Sequence, residues 1–351
     1  MIELTRGNIL NADVEALVNT VNCVGVMGKG IALQFKKAFP ANFKAYEAAC
    51  RREEIKPGRM FVFETGQIVN PRYIINFPTK RHWRNRSRYE DIEAGSRALL
   101  AEVRNREIHS VAIPPLGCGL GGLDWHRVRA IIEQAFSKLP GVQVKLFEPK
   151  GTPHAKEMPV GTAKPRMTIA RALFIKLMEQ YARHAYRLTL LEIQKLAYFL
   201  QESGLDLRLR YVKHLYGPYA HNLNKVLEVL EGHYITGYGD TQKPDIEVEL
   251  LPGARHHADA FLGQHPEAIK KLEKVADLVD GFETPYGMEL LASVHWLAAH
   301  DRVAVDADIA VAAMARWSER KSKLFKPEHI RVAWDHLHAG GWINTYELCR
   351  S

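Results

Sequence analysis

Cysteine is scarce, and none of it is paired. Cys23, Cys50, Cys118 and Cys349 are scattered through 351 residues with no C-x-x-C spacing. That excludes a zinc ribbon and a dithiol redox motif, and a reducing cytoplasm is the expected compartment. No apolar run approaches the roughly 20 residues needed to span a bilayer, so no membrane partner is expected. No N-terminal segment has the charged, apolar, small-residue order of a signal peptide. Repeats and low-complexity tracts are absent. The histidines His214, His233, His256, His257 and His295 lack metal-ligand spacing and read as structural or surface groups. Neither a metal nor a cofactor is expected.

What the chain does have is length, positive charge and glycine in two telling places. Its 351 residues suggest at least two domains. Lys and Arg number 48 against 40 Asp and Glu, a net charge of +8, which suits a polyanionic partner. The first glycine loop is 22–30, Asn-Cys-Val-Gly-Val-Met-Gly-Lys-Gly; the second is 115–122, Pro-Leu-Gly-Cys-Gly-Leu-Gly-Gly. Each follows a short apolar run that reads as a buried strand and precedes a helical pattern. Strand, glycine loop and helix N-terminus together present backbone N–H groups to phosphate. Two such loops suggest a diphosphate held from two sides, although either loop alone is more often a plain turn.

Read in order, residues 1–149 alternate strands with helices. Strands are predicted at Ile2–Thr5, Val14–Val21, Met60–Glu64, Tyr73–Phe77, Val111–Ile113 and Val142–Phe147. Helices are predicted from Ile31, Asn42 and Trp125, and another opens at Ser87-Arg88-Tyr89-Glu90, which has capping-box form. The pattern predicts an α/β unit with a mostly parallel sheet covered on both faces, its ligands beyond the carboxyl ends of the strands. Turn formers at Pro149, Gly151, Pro153, Pro159, Gly161 and Pro165 predict a linker over 150–166. Residues 167–351 read as α-rich with a small β element near Ile235 and Ile246–Leu250. Thr189-Leu190-Leu191-Glu192 is a second capping box.

Lys80 is the leading chemical candidate. It follows an apolar strand, on the same sheet edge as the glycine loops. A lysine there can stabilise a leaving group, attack as a neutral amine once desolvated, or simply bind phosphate; most strand-end lysines are only solvated surface. Asn22 either holds a sugar hydroxyl or makes a turn. Residues 81–88 pack four arginines, His82 and Trp83 into eight positions, a phosphate-plus-stacking pattern that is also that of an ordinary solvated loop. Asp124 is the only acid adjoining the second loop, and no glycosidase-type carboxylate pair can be picked out.

These residues resemble a known family. Gly7-Asn8-Ile9-Leu10, Leu17-Val18-Asn19-Thr20-Val21-Asn22, Gly28-Lys29-Gly30-Ile31-Ala32 and the loop 115–122 follow one another as in a macrodomain, the three-layer α/β/α fold that binds ADP-ribose. Val26-Met27, Phe35-Lys36-Lys37 and Phe77-Pro78-Thr79-Lys80 resemble the subgroup containing terminal ADP-ribose glycohydrolase, and within it the antitoxins of DarT–DarG toxin–antitoxin systems, which are prokaryotic. Leu191–Phe199, Tyr216-Gly217-Pro218-Tyr219, Thr284–Leu291 and Phe325–Ile330 resemble the winged-helix-like C-terminal part of such antitoxins.

The resemblance implies an enzyme that removes ADP-ribose from thymidine in single-stranded DNA, releasing free ADP-ribose, in a chain whose second half, 167–351, binds and inhibits a DarT-like toxin. Lys80 matches the subgroup's catalytic lysine. Asn8 and Ile9 lie where the family contacts adenine, and Asn22 near the distal ribose. Gly28, Lys29, Gly30, Ile31 and Thr79, with Gly117, Cys118, Gly119, Leu120 and Gly121, match the ADP-ribose-binding loops. Arg81, His82, Arg84 and Arg86 are candidates for the DNA strand, and His82 also for a proton partner. Two departures stand out. Asn8 replaces the Asp of many macrodomains, though its amide oxygen can still accept a bond. Gly121 stands where the eukaryotic glycohydrolase has a catalytic Asp, and Asp124 does not align with it. Alternatives are a module that binds ADP-ribose without cleaving it and a protein de-ADP-ribosylase.

Overall fold

The computed structural model describes residues 1–149, 158–183, 188–239 and 247–343. The chain divides into two compact units, one holding Met1–Lys164 together with Gly239, the other Pro165–Tyr238 and the described residues from 247 onward. Part of the predicted linker, 150–157, lies outside the described residues, as do 184–187, Ile246 and Cys349. Residues 158–164 belong with the first unit. There Met158 packs on the cluster around Ile9 and Leu10, and its sulfur accepts the Asn8 amide at 3.4 Å.

Six strands build the first unit's sheet: β1 (Ile2–Thr5), β2 (Ala16–Asn22), β3 (Phe61–Glu64), β4 (Tyr73–Lys80), β5 (Ser110–Ile113) and β6 (Gln143–Phe147). Their order is β1-β6-β5-β2-β4-β3, parallel throughout except for the β3–β4 pair. Alternation along the strands fills both faces. Ala16, Val18, Ile75 and Phe77 pack in one cluster with Ile92, Leu99 and Val103 of α3 (Tyr89–Asn105) and Val128 and Ile132 of α4 (Trp125–Phe136). Leu17 and Ile74 pack in the other with Phe35 of α1 (Gly30–Ala38). Behind the first glycine loop, Tyr46 and Ala49 of α2 (Pro40–Arg51) close a third cluster with Val21 and Met27. This is the three-layer α/β/α arrangement of a macrodomain.

Two details position the site. Buried amides pin the register: Asn19 of β2 donates to Asn76 of β4 (3.0 Å), which donates to Asn42 of α2 (2.7 Å). The β2–β4 register then slips, with Val21 opposite Pro78 but Asn22 opposite Lys80. One extra residue in β4 is a bulge, which re-aims the side chain beyond it.

The two predicted capping boxes part ways. At Thr189 the box forms: Glu192 accepts the Thr189 backbone N–H at 2.7 Å at the head of α6 (Leu190–Glu202). At Ser87 it does not. The N-cap of α3 is Arg88, without a side-chain cap bond. Ser87 is drawn instead against the second glycine loop, its N–H donating to the Gly121 carbonyl (3.1 Å), and its buried hydroxyl finds no partner among the described residues. A tertiary contact overrides the local signal.

The second unit is helical with two small β pairs. The pair β9 (Ile235–Thr236) and β10 (Glu249–Leu250) lies near its predicted place. The hairpin β7 (Tyr211–His214) and β8 (Gly217–Ala220) occupies residues the sequence left unassigned. Helix α10 (Pro285–Ala299) is buried on nearly every side, which erases any amphipathic signature. Charge lies inside this unit. Glu289 of α10 accepts both Arg320 (2.6 and 3.0 Å) and Lys321 (2.7 Å). Lys195 of α6, 1% exposed, has its ammonium on the Pro218 carbonyl at 2.6 Å. His295, read from sequence as isolated, stands near His300 and Glu202, with donor atoms within 4.8 Å of one another. Those donors serve each other and Tyr198: His300 meets Glu202 at 3.1 Å and His295 meets the Tyr198 hydroxyl at 2.7 Å. Burial pushes His295 down to about 4, so its ring is neutral.

Candidate active site

The fold brings both glycine loops to the carboxyl edge of the sheet. A Cβ on Gly30 would lie 3.7 Å from Leu120, so the first loop and the second approach each other. Lys29 caps α1 without a side-chain oxygen, and the Ile31 and Ala32 amides carry no hydrogen bond among the described residues. Across from them the amides of Gly119, Leu120 and Gly121 are likewise unbonded, while Cys118, Gly122 and Leu123 turn theirs back into the loop. Three successive N–H groups with no bond among the described residues, in a loop that approaches the start of α1, are a cradle that can hold an anion, although the Gly30 amide of α1 itself donates to the Gly239 carbonyl at 2.6 Å.

Glycine is required at two of these positions for different reasons. Gly117 sits at φ +71°, where an L side chain is strained. Gly121 is a question of space: a Cβ there would lie 2.3 Å from both the Gly117 carbonyl oxygen and the Ser87 hydroxyl. No carboxylate side chain fits at 121 on this backbone. Asp124 does not replace it, because its carboxylate accepts the Arg127 backbone N–H at 3.0 Å and caps α4.

Lys80 reaches into the cradle from the bulge. Its ammonium donates to the Leu120 carbonyl at 2.6 Å. It forms no ion pair among the described residues, and partial burial lowers its pKa. Loss of solvation without a compensating carboxylate favours the neutral amine. The nearby thiols do not compete as nucleophiles: burial pushes Cys23 up to about 11 and Cys118 up to about 12.

The structure shows how the other sequence-predicted residues are held. Asn22 makes the turn: its side-chain oxygen accepts the Val24 and Val26 amides (3.0 and 3.3 Å), and Tyr46 bonds its carbonyl at 2.6 Å. Asn8 caps a 3₁₀ turn, Ile9–Asn11, accepting the Leu10 amide at 3.0 Å, and Ile9 is core. Thr79 is buried beside Lys80, and Gly28 lies partly open in the first loop. The basic segment is not uniform. Arg81 is bound to Asp91 at 3.1 Å. His82 stacks on Trp83 and accepts the Arg84 amide, while the Arg84 guanidinium lies 4.5 Å from the centre of the Trp83 ring. Arg86 and Arg88 are exposed, with no ion pair among the described residues.

Three comparisons bear on this site. A family model described as "Macro domain" matches residues 18–132. A Thermus aquaticus protein named "DNA ADP-ribosyl glycohydrolase" is 47% identical over 347 residues, 99% of this chain and 96% of that relative. A Thermosipho africanus protein named as a "DNA ADP-ribosyl transferase-DNA ADP-ribosyl glycohydrolase fusion protein" is 32% identical over 42% of each chain. A solved structure titled "Macrodomain of Mycobacterium tuberculosis DarG" is 55% identical, covering 43% of this chain and 99% of that one with a TM-score of 0.42.

Proposed function

This chain belongs to the DNA ADP-ribosyl glycohydrolase family, and from that premise we propose that it strips ADP-ribose from thymidine in single-stranded DNA, with Lys80 as the catalytic residue. The observation that carries the proposal is the Lys80 ammonium, half-buried, unpaired by any described carboxylate, and 2.6 Å from the loop that offers three free amides. The diphosphate rests between those amides and the α1 N-terminus, with Gly28–Ile31 on one side and Gly117–Gly121 on the other. Asn8 and Ile9 border the adenine, and Asn22 acts on the distal ribose through the loop it shapes.

With the diphosphate so fixed, the anomeric carbon faces Lys80. The neutral amine attacks that carbon, the bond to the thymine nitrogen breaks, the base takes the proton that the attacking amine gives up, and the glycosylamine so formed opens to a Schiff base on Lys80. Water then cleaves the lysine–carbon bond, returning the amine and free ADP-ribose. Fixing donor and acceptor in one site is the main source of acceleration. No carboxylate fits at 121 beside that amine.

The test is release of ADP-ribose from a thymidine-ADP-ribosylated oligonucleotide. Wild type should release it and Lys80→Ala should not, while both bind ADP-ribose. Full activity in Lys80→Ala would remove the assignment; no release by either would leave a binding module. Borohydride should trap the sugar on Lys80 of wild type only.

The second unit, we propose, binds and inhibits a DarT-like transferase. The fusion relative's name joins a transferase to a glycohydrolase in one chain, and the Thermus relative matches the second unit as well as the first. Full-length Lys80→Ala should therefore still suppress transferase activity in a mixed assay, and failure to do so would count against a separate inhibitory surface.

A further inference from the structure

Two segments run side by side away from Lys80. The first is 80–89 and the second is 120–127, and successive contacts stitch them together. Lys80 meets the Leu120 carbonyl (2.6 Å), Ser87 meets the Gly121 carbonyl (3.1 Å), and the Tyr89 hydroxyl accepts the Asp124 amide (3.1 Å). The last contact is between side chains: the Arg127 guanidinium lies 3.8 Å from the centre of the Tyr89 ring. Arg127 is exposed and forms no ion pair among the described residues. Its guanidinium is oriented by the ring but not neutralised. Arg84, Arg86 and Arg88 are exposed along the first segment. The one acid at the turn, Asp124, is committed to the helix cap.

We infer that Arg127, seated on Tyr89, is a remote phosphate contact for the DNA strand, which runs from the Lys80 site along the seam between 80–89 and 120–127. This rests on the DNA reading above and extends it to α4. A guanidinium laid flat on an aromatic ring keeps its outward N–H groups free and loses little freedom on meeting a phosphate. The geometry separates two tasks. Lys80 and the cradle recognise the ADP-ribose, whereas Arg127 touches only a strand long enough to reach it.

The experiment compares Arg127→Ala with wild type, as full-length chains, on two substrates: an ADP-ribosylated oligonucleotide and ADP-ribosylated thymidine nucleoside. The variant keeps the Asp124 cap, which bonds the backbone of residue 127. Arg104→Ala, near the far end of α3, is the control. For the oligonucleotide, KM should rise and the slope of log affinity against log salt should fall by about 0.7, the share of one single-strand phosphate. For the nucleoside nothing should change, and Arg127→Lys should restore the slope. An unchanged KM and salt slope on the oligonucleotide would overturn the inference, as would an equal loss on the nucleoside. Fluorescence anisotropy with the unmodified oligonucleotide reads the strand path without chemistry. A reduced salt slope there supports Arg127 even if wild type proves inactive, an outcome that would sink only the enzymatic reading.

Discussion

Each unit holds a lysine whose ammonium donates to a backbone carbonyl at 2.6 Å, Lys80 to Leu120 in the first and Lys195 to Pro218 in the second. Burial lowers the pKa of both, and takes Lys195 to about 7. By the size of the shift alone, Lys195 is the better nucleophile. Yet it is 1% exposed, its ammonium is bonded to the Pro218 carbonyl, and its charged neighbours are Lys321 and Glu289. Lys80 stands at a strand end before two loops with unspent amides. A depressed lysine marks chemistry only where a ligand can reach it.

The sharpest way to break the comparison is to exchange the readouts. Lys80→Ala should cut hydrolysis by about 10³-fold or more, some 4 kcal/mol of transition-state stabilisation, and leave the unfolding midpoint within error. Initial rates and a urea titration check both halves. Glu289→Ala should do the reverse. It strands Lys321 and Arg320 around a buried vacancy, a loss of about 3–5 kcal/mol in the second unit, read by denaturant unfolding, with hydrolysis retained.

A finer distinction is pH. A lysine with a lowered folded pKa binds fewer protons folded than unfolded, so stability rises with pH between the two values. For Lys195 that window opens near pH 7 and closes at the ordinary lysine value of 10.5. Lys195→Met should flatten the rise, by at most ~1.4 kcal/mol per pH unit, with the largest gain in midpoint below pH 7. A flat wild-type profile over that window would show the ammonium is not buried as described. Smallest of all should be Asp124→Asn, which keeps a capping oxygen; a change in kcat beyond about twofold would return Asp124 to the chemistry.

Much of the first unit was legible because its signals are local. The apolar runs of β2 and β4 and the glycine punctuation beyond them each act within a few residues. Lys80 was found the same way, from an apolar strand followed by a lysine. What escaped was decided at a distance. Ser87 carries a capping-box sequence, but the Gly121 carbonyl captures it from 34 positions away. Asn22 reads equally as a sugar contact or a turn former, and the bonds it makes, to the Val24 and Val26 amides through its side chain and to the Tyr46 hydroxyl through its carbonyl, leave no mark in the strand pattern. In the second unit, α10 is buried all round and the β7–β8 hairpin is short, so neither leaves a period to count. The pairing of Arg127 with Tyr89 had no sequence signal at all.

The slip in register between Val21 and Asn22 has a consequence of its own. Ile75 and Phe77 point to one face of the sheet, Ile74 to the other, so orientation along β4 is a matter of odd and even. Thr79 is the unmatched residue between the Pro78 and Lys80 pairings, so deleting it would close the bulge and leave the lysine opposite Asn22, on a strand whose alternation runs unbroken from Phe77. The bulge therefore tunes the direction in which the amine leaves the strand, while the residue of β2 that it faces stays the same.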